Sequence, residues 1–276
     1  MNRILFEPGE IQGGCAVFDG VRAEHVINVL HGEVGQVLRT GVVGGLAGES
    51  VIEAIEPLPP DPATGLLQGC ITVRCEHRDE PPAPWADLLL APPRPRAMKR
   101  LLPQIAQMGV GRIVLVGAQK TEKAFWGAQL LKEEIYRPLL IDGLQQSGTT
   151  AVPTIETFKS FKHFVERKLD AHFEGQPTRI VAHPEKAPLG EATLLSLPER
   201  ARDRQKRQEC RFPEAPVLAV GPEGGWTNEE VERLEAKDFA RMSLGPRILR
   251  TDTALIALLS RLMEIYDEGI VNTLCH

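Results

Sequence analysis

Four short, unbroken apolar runs constrain this chain more than any other feature: ADLLLA (86–91), RIVLVG (112–117), TRIVAH (178–183) and PVLAVG (216–221). Runs of this length without polar alternation are strands buried on both faces. Helical patterns lie between them, as in LLPQIAQMGV (101–110) and EEIYRPLLIDGLQQ (133–146). Apolar strands alternating with helices predict an α/β domain whose largely parallel sheet is covered on both sides. Pro103 falls within the first helical pattern. It is expected to kink that helix, at a cost of ~3 kcal/mol, unless it sits in the first turn.

Before residue 84 the texture differs. VGQVLRTGVV (34–43), ESVIEAIE (49–56) and CITVRCEH (70–77) mix β-branched and polar residues in rough alternation, with glycines between them. Only AEHVINVL (23–30) reads as a helix there. Short strands with glycine-rich turns predict a small β-barrel. In HRDEPPAPWADLLLAPPRPR (77–96) prolines crowd both ends of one apolar run. Proline continues neither a helix nor a ladder, so a boundary is expected near residue 83, giving domains 1–83 and 84–276. Two domains also suit a chain of 276 residues.

Composition narrows the function. The formal charge of -5 argues against tight, sequence-indifferent binding to a polyanion, which counterion release drives. A local basic patch remains compatible with a nucleic-acid substrate. RPRAMKR (94–100) gathers Arg94, Arg96, Lys99 and Arg100; ERARDRQKRQECR (199–211) has six basic and three acidic residues and reads as a solvated surface. Cys15, Cys70, Cys75, Cys210 and Cys275 form no CxxC pair, which fits reduced thiols in a cytoplasm. Neither CxxC nor HExxH occurs and the seven histidines are scattered, so no metal site is expected. MNRILFEPGE lacks a signal-peptide pattern, and no run approaches the ~20 apolar residues of a membrane span.

The chemistry concentrates in VLAVGPEGGWTNEEVERL (217–234). A buried strand runs into Gly221-Pro222-Glu223-Gly224-Gly225, and Thr227 with Glu230 forms a capping box that starts a helix. A glycine-dense turn between strand and helix lets main chain approach a ligand and directs free N–H groups at it. In an open α/β sheet that place is the carboxyl end of a strand. GK[ST], GxGxxG, GxSxG, HRD and DFG are all missing, which removes P-loop, dinucleotide, acyl-transfer serine and kinase readings. A second segment, SLGPRILRTDTALIALLSRLMEIY (243–266), follows one short strand. Gly245 and Pro246 mark a turn, Arg247 and Arg250 flank two apolar residues, and Thr251 or Asp252 can cap the next helix. That helix is apolar almost all round, so it lies deep in the core or at a subunit interface.

GPEGG followed by LGPRILRTDTA, in that order and at that distance from the C-terminus, resembles the signature of the RsmE family, the small-subunit ribosomal RNA uridine-N3 methyltransferases of the SPOUT superfamily. The resemblance spans nearly the whole chain. Arg3-Ile4-Leu5-Phe6 is similar to the family's opening motif, and EHVINVLHGEVGQVL (24–38) to its barrel segment. QMGVGRIVLV (107–116), LQQSGTTAVPTI (144–155) and VAHP (181–184) occupy the intermediate positions. The chain departs from the family's usual residues at His31, Gln104, Gln107 and Thr149, in RNA-facing or structural parts, while the cofactor loops are intact.

The resemblance implies a PUA-like RNA-binding barrel followed by a SPOUT domain whose C-terminal segment is threaded into a trefoil knot. It implies S-adenosylmethionine as cofactor, on loops that comprise Ala182, His183 and Pro184; Leu218 and Gly221 to Gly225 with Pro222, Glu223 and Gly224; and Leu244, Gly245, Arg247, Ile248, Leu249 and Thr253. It implies a homodimer with the site at the interface, acting on ribosomal RNA or the small ribosomal subunit. Arg3, His31, Arg94, Arg96, Lys99 and Arg100 are expected to contact RNA phosphates. Uridine N3 must lose its proton, so Arg250 is expected to stabilise the uracil anion, and Glu223 to accept the proton or to hold the cofactor's amino group. A same-fold enzyme acting on another base or a 2′-hydroxyl stays open, as does a non-catalytic RNA-binding ribosome-assembly protein.

Overall fold

The computed structural model describes residues 1–184 and 215–274, with side chains to residue 264. The basic run 199–211 lies outside the described residues. The chain divides into two compact units, Met1–Ala83 with Pro138–Val152, and Pro84–Arg137 with Pro153–His276.

In the first unit, β1 (Ile4–Phe6), β2 (Ile11–Gln12), β3 (Cys15–Phe18), β4 (Val37–Val42), β5 (Ala47–Leu58) and β6 (Gln68–Asp79) form one sheet in the order β1-β4-β5-β6-β3-β2. Only β1 and β4 pair in parallel; the other ladders are antiparallel. Helix α1 (Gly20–Asn28) is the helix expected there and buries Ala23 and Val26. They pack with Phe6, Phe18, Ile52, Ile71 and Val73 in one hydrophobic core. Arg3 donates to three main-chain carbonyls: Nε to Gly148 at 2.8 Å, and Nη1 to Thr40 at 2.6 Å and Gly48 at 3.0 Å. Beside it, buried Thr40 bonds Ser50 at 2.6 Å and His77 Nε2 at 2.7 Å. Burial, and then the charge of Arg3, hold the His77 imidazole below its ordinary pKa.

The second unit is the parallel α/β domain that the apolar runs predict. β7 (Ala86–Leu90), β8 (Val110–Val116), β9 (Thr154–Phe158), β10 (Arg179–Ala182), β11 (Val217–Val220) and β12 (Phe239–Met242) take the order β12-β10-β11-β7-β8-β9. Every ladder is parallel. All residues of β7 and β11 are buried, as central strands covered on both faces require. Helices α2 (Pro95–Gln107) and α3 (Glu133–Ser147) follow β7 and β8; α4 (Phe161–Arg167) and α5 (Leu169–His172) follow β9. α2 begins six residues before its apolar pattern, because Pro95 at the first helical position loses no hydrogen bond. Pro103 therefore sits in the interior of α2, not its first turn, and leaves the Lys99 carbonyl without its helical donor. α6 (Asn228–Glu235) and α7 (Thr251–Leu274) complete the unit. Leu255, Leu258, Leu259 and Leu262 of α7 are each at most 3% exposed, so this face of the apolar helix is core. At the amino end of the sheet, Asp87 is satisfied by Arg112 at 2.7 Å and Gln176 at 3.0 Å.

Candidate active site

The chain lays β7, β8 and β9 towards one edge, then places β10 beyond a gap that β11 fills, with β12 outside it. Connections leave β7 and β11 in opposite directions, so these neighbours form the switch point where an open α/β sheet binds ligands. The registers Val220↔Leu90, Val181↔Ala219 and Ala182↔Met242 bring four carboxyl ends level. The three loops implied by sequence, after β10, β11 and β12, thus leave one edge of the sheet side by side. His183 N–H donates to the Met242 carbonyl at 3.1 Å and ties the first loop to the third.

The turn after β11 is tight. Gly225 has φ +67° and its N–H closes on the Pro222 carbonyl at 2.8 Å. A Cβ on Gly221 would lie 2.9 Å from the Trp226 main-chain nitrogen, so only glycine lets the turn fold back so closely. The expected capping box is present: Thr227 Oγ1 accepts from Glu230 N–H at 3.3 Å, and Glu230 accepts from Thr227 N–H at 2.8 Å. Glu230 is 6% exposed, and its other oxygen accepts from Gln119 N–H at 2.7 Å, on the loop after β8. From that loop Lys120 Nζ donates to the Gly224 carbonyl at 2.9 Å. Exposed Glu223 accepts from Arg94 N–H at 2.9 Å, where α2 begins beyond β7. Loops from β7, β8 and β11 are thereby joined at one point. Trp226 packs its ring 5.3 Å from Phe161, and its buried indole N–H has no partner among the described residues. Thr121 Oγ1 is likewise buried, with no partner among the described residues.

The loop after β12 is open to solvent. Leu244, Ile248 and Leu249 are exposed, Ile248 by 88%, and Gly245, Arg247, Arg250 and Thr253 are exposed as well. Thr251 and Asp252 are the first residues of α7, inside the helix and not before it. Asp252 accepts from Thr253 N–H at 3.0 Å, Arg250 at 3.0 Å and Arg100 at 3.3 Å. Burial raises the Asp252 pKa, but the Thr253 and Arg100 hydrogen bonds and the charges of Arg250 and Arg100 together bring it below the ordinary value.

The expected residues therefore fall into groups. Ala182, His183 and Pro184, the 221–225 turn and the 244–253 loop share one end of one sheet. Leu218, expected on the cofactor loops, lies in mid-strand instead: it is 0% exposed, in register with Ile180 and Leu88, and belongs to the core. Arg94, Arg96, Lys99 and Arg100 are exposed at the start of α2, two of them paired, with Glu122 at 2.8 Å and Asp252 at 3.3 Å. Arg3 and His31 belong to the first unit, where Arg3 is committed to carbonyls and His31 is an exposed turn residue at φ +49°. Sequence reasoning missed Lys120 and the cross-loop reach of Glu230; only the capping-box spacing hinted at the latter. Among the described residues no His, Cys, Asp or Glu group is placed to hold a metal ion, and no helix is long and apolar enough to cross a membrane.

This fold and site belong to a methyltransferase class: a family model for the RNA methyltransferase domain matches residues 80–263, and the chain belongs to that family. The resemblance to the RsmE family holds at the level of whole proteins. The chain is 29% identical over 259 residues to the ribosomal RNA small subunit methyltransferase E of Treponema pallidum, covering 93% of this chain and 88% of the relative. Two solved structures share its fold. One is a ribosomal RNA small subunit methyltransferase E from Neisseria gonorrhoeae bound to S-adenosyl methionine, at 20% identity and TM-score 0.62 over 96% of this chain and 98% of that one. The other is a methyltransferase from Legionella pneumophila solved with bound cofactor SAM, at 23% identity and TM-score 0.64 over 96% and 97%.

Proposed function

We propose that this protein methylates N3 of a uridine in small-subunit ribosomal RNA with S-adenosylmethionine, in the cytoplasm and as a homodimer. In this reading residues 1–83 are a PUA-like RNA-binding barrel and residues 84–276 a SPOUT domain with a C-terminal trefoil knot. The observation that carries it is the glycine turn after β11, laced to the loops of β7 and β8 and level with those of β10 and β12. The close-folded glycine turn at Gly221 would present main-chain groups to a cofactor with polar edges.

Ala182 to Pro184, Gly221 to Gly225 and Leu244 to Leu249 with Thr253 would hold the cofactor, which supplies an activated methyl on a sulfonium. The chain's own work is to orient the base and manage one proton. Exposed Ile248 and Leu249 provide apolar surface that a bound adenosine would cover. Glu223 keeps one oxygen on Arg94 N–H, and the other can receive the proton or an ammonium. Arg250 is 72% exposed and bonded to Asp252; turning from that carboxylate, which Arg100 still satisfies, it would face the anion on the uracil oxygens. Arg94, Arg96, Lys99 and Arg100 would bind phosphates around the target. Calorimetric titration with S-adenosylmethionine tests the cofactor, and single-turnover transfer of labelled methyl to small-subunit particles tests the reaction. Saturating cofactor with neither heat nor a melting shift overturns the proposal.

A further inference from the structure

We propose that Glu230 is a positioning residue that holds the Lys120 ammonium over the glycine turn, where Lys120 meets an anionic group of the ligand; this deepens the methyltransferase reading and rests on it. Glu230 is a buried carboxylate, and among the described residues its hydrogen bonds come from neutral donors: Thr227 N–H, the Thr227 hydroxyl at 3.2 Å and Gln119 N–H. A capping box needs only the first of these, on its own helix. The Gln119 contact spans 111 residues of sequence and fixes the residue immediately before Lys120. The stem of Lys120 then lies on Gly224, for a Cβ there would meet its Cδ at 2.9 Å and its Cβ at 3.2 Å. The ammonium ends on the Gly224 carbonyl, facing solvent. Arg94 and Arg250 each pair with a carboxylate, whereas among the described residues Lys120 bonds that carbonyl alone. A cation fixed over the turn and not neutralised by an acid is an anion site. The anion is the cofactor's carboxylate or an RNA phosphate.

The test is a double-mutant cycle on the full chain with Glu230→Gln, Lys120→Met and both together. The amide nitrogen of Gln must face a main-chain donor that the carboxylate satisfied, so one strut breaks with little change in volume. Dissociation constants for S-adenosylmethionine, its decarboxylated analogue and small-subunit RNA are measured at two salt concentrations, beside unfolding curves. Each single variant is expected to weaken one ligand roughly three- to tenfold, with the pair no worse than either alone. Lys120→Arg should restore most of it. If the cofactor carboxylate is the anion, Lys120→Met has no effect on the decarboxylated analogue; if it is RNA phosphate, the RNA salt slope falls by about one. Additive losses, or wild-type affinity for all three ligands in both single variants, overturn the inference. A wild-type protein that transfers no methyl group instead overturns the underlying reading, and the cycle distinguishes the two.

Discussion

Gly221→Ala puts the site's central geometry under direct strain. The new Cβ would stand 2.9 Å from the Trp226 nitrogen and 3.2 and 3.3 Å from the Gly225 carbonyl carbon and Cα. Carbon contacts are comfortable near ~3.5–4.0 Å, so the main chain must retreat by about half an ångström. None of the three atoms can rotate away. Gly225 is pinned by its bond to Pro222, and Trp226, 3% exposed, is packed on Phe161. Overpacking of this kind costs ~1–3 kcal/mol, a melting loss on the order of 5 °C for a unit of this size. Because the displaced segment is the proposed cofactor turn, affinity for S-adenosylmethionine should fall by about tenfold or more. Gly225→Ala is the comparison: nothing lies within 4 Å of its Cβ, so it adds only the strain of φ +67°, ~1–2 kcal/mol. Calorimetry and thermal unfolding of both variants decide. A Gly221→Ala protein that melts lower but binds cofactor with wild-type affinity would refute the close-approach argument.

Three further outcomes are expected. Arg250→Ala should lose roughly 100- to 1000-fold in single-turnover methyl transfer with far less loss of cofactor affinity, and Arg250→Lys should recover only part; equal losses in both quantities make it a binding residue. The protein should scatter light as a homodimer, and Leu258→Glu should cost stability, since it buries an unpaired charge; a monomer competent for methylation contradicts the dimer. The first unit should lose stability as pH falls below the unfolded histidine value of about 6.5: His77 is held below that value, so the unfolded chain binds the proton more tightly, and stability present above it is lost on acidification. His77→Gln should flatten this part of the profile below about pH 6.5, and an unchanged slope there removes His77 as its source.

The sheet of the second unit was legible because its strands are buried on both faces, which leaves continuous apolar runs at 86–91, 112–117, 178–183 and 216–221. β9 was not, for as an edge strand it reads TIETF with no such run. β1 to β3 are two to four residues long, below the length at which alternation can be counted. Residues 138–152 pack with the first unit, which no local pattern announces, because α3 is one continuous helix across that division. At the site, the turn and its cap were visible as glycine density and Thr-x-x-Glu spacing. The contacts of Glu230 with Gln119 and of Glu223 with Arg94 were not, since they join loops brought together only by strand order.

Mass spectrometry of small-subunit ribosomal RNA from cells with and without the gene, followed by in vitro methylation of the deficient particles, reads the proposed reaction directly. One uridine is expected to lack its N3 methyl in the deficient strain and to regain it when the purified protein and S-adenosylmethionine are added. Ribosomal RNA with the same modifications in both strains, or a methyl restored to another atom, would contradict it.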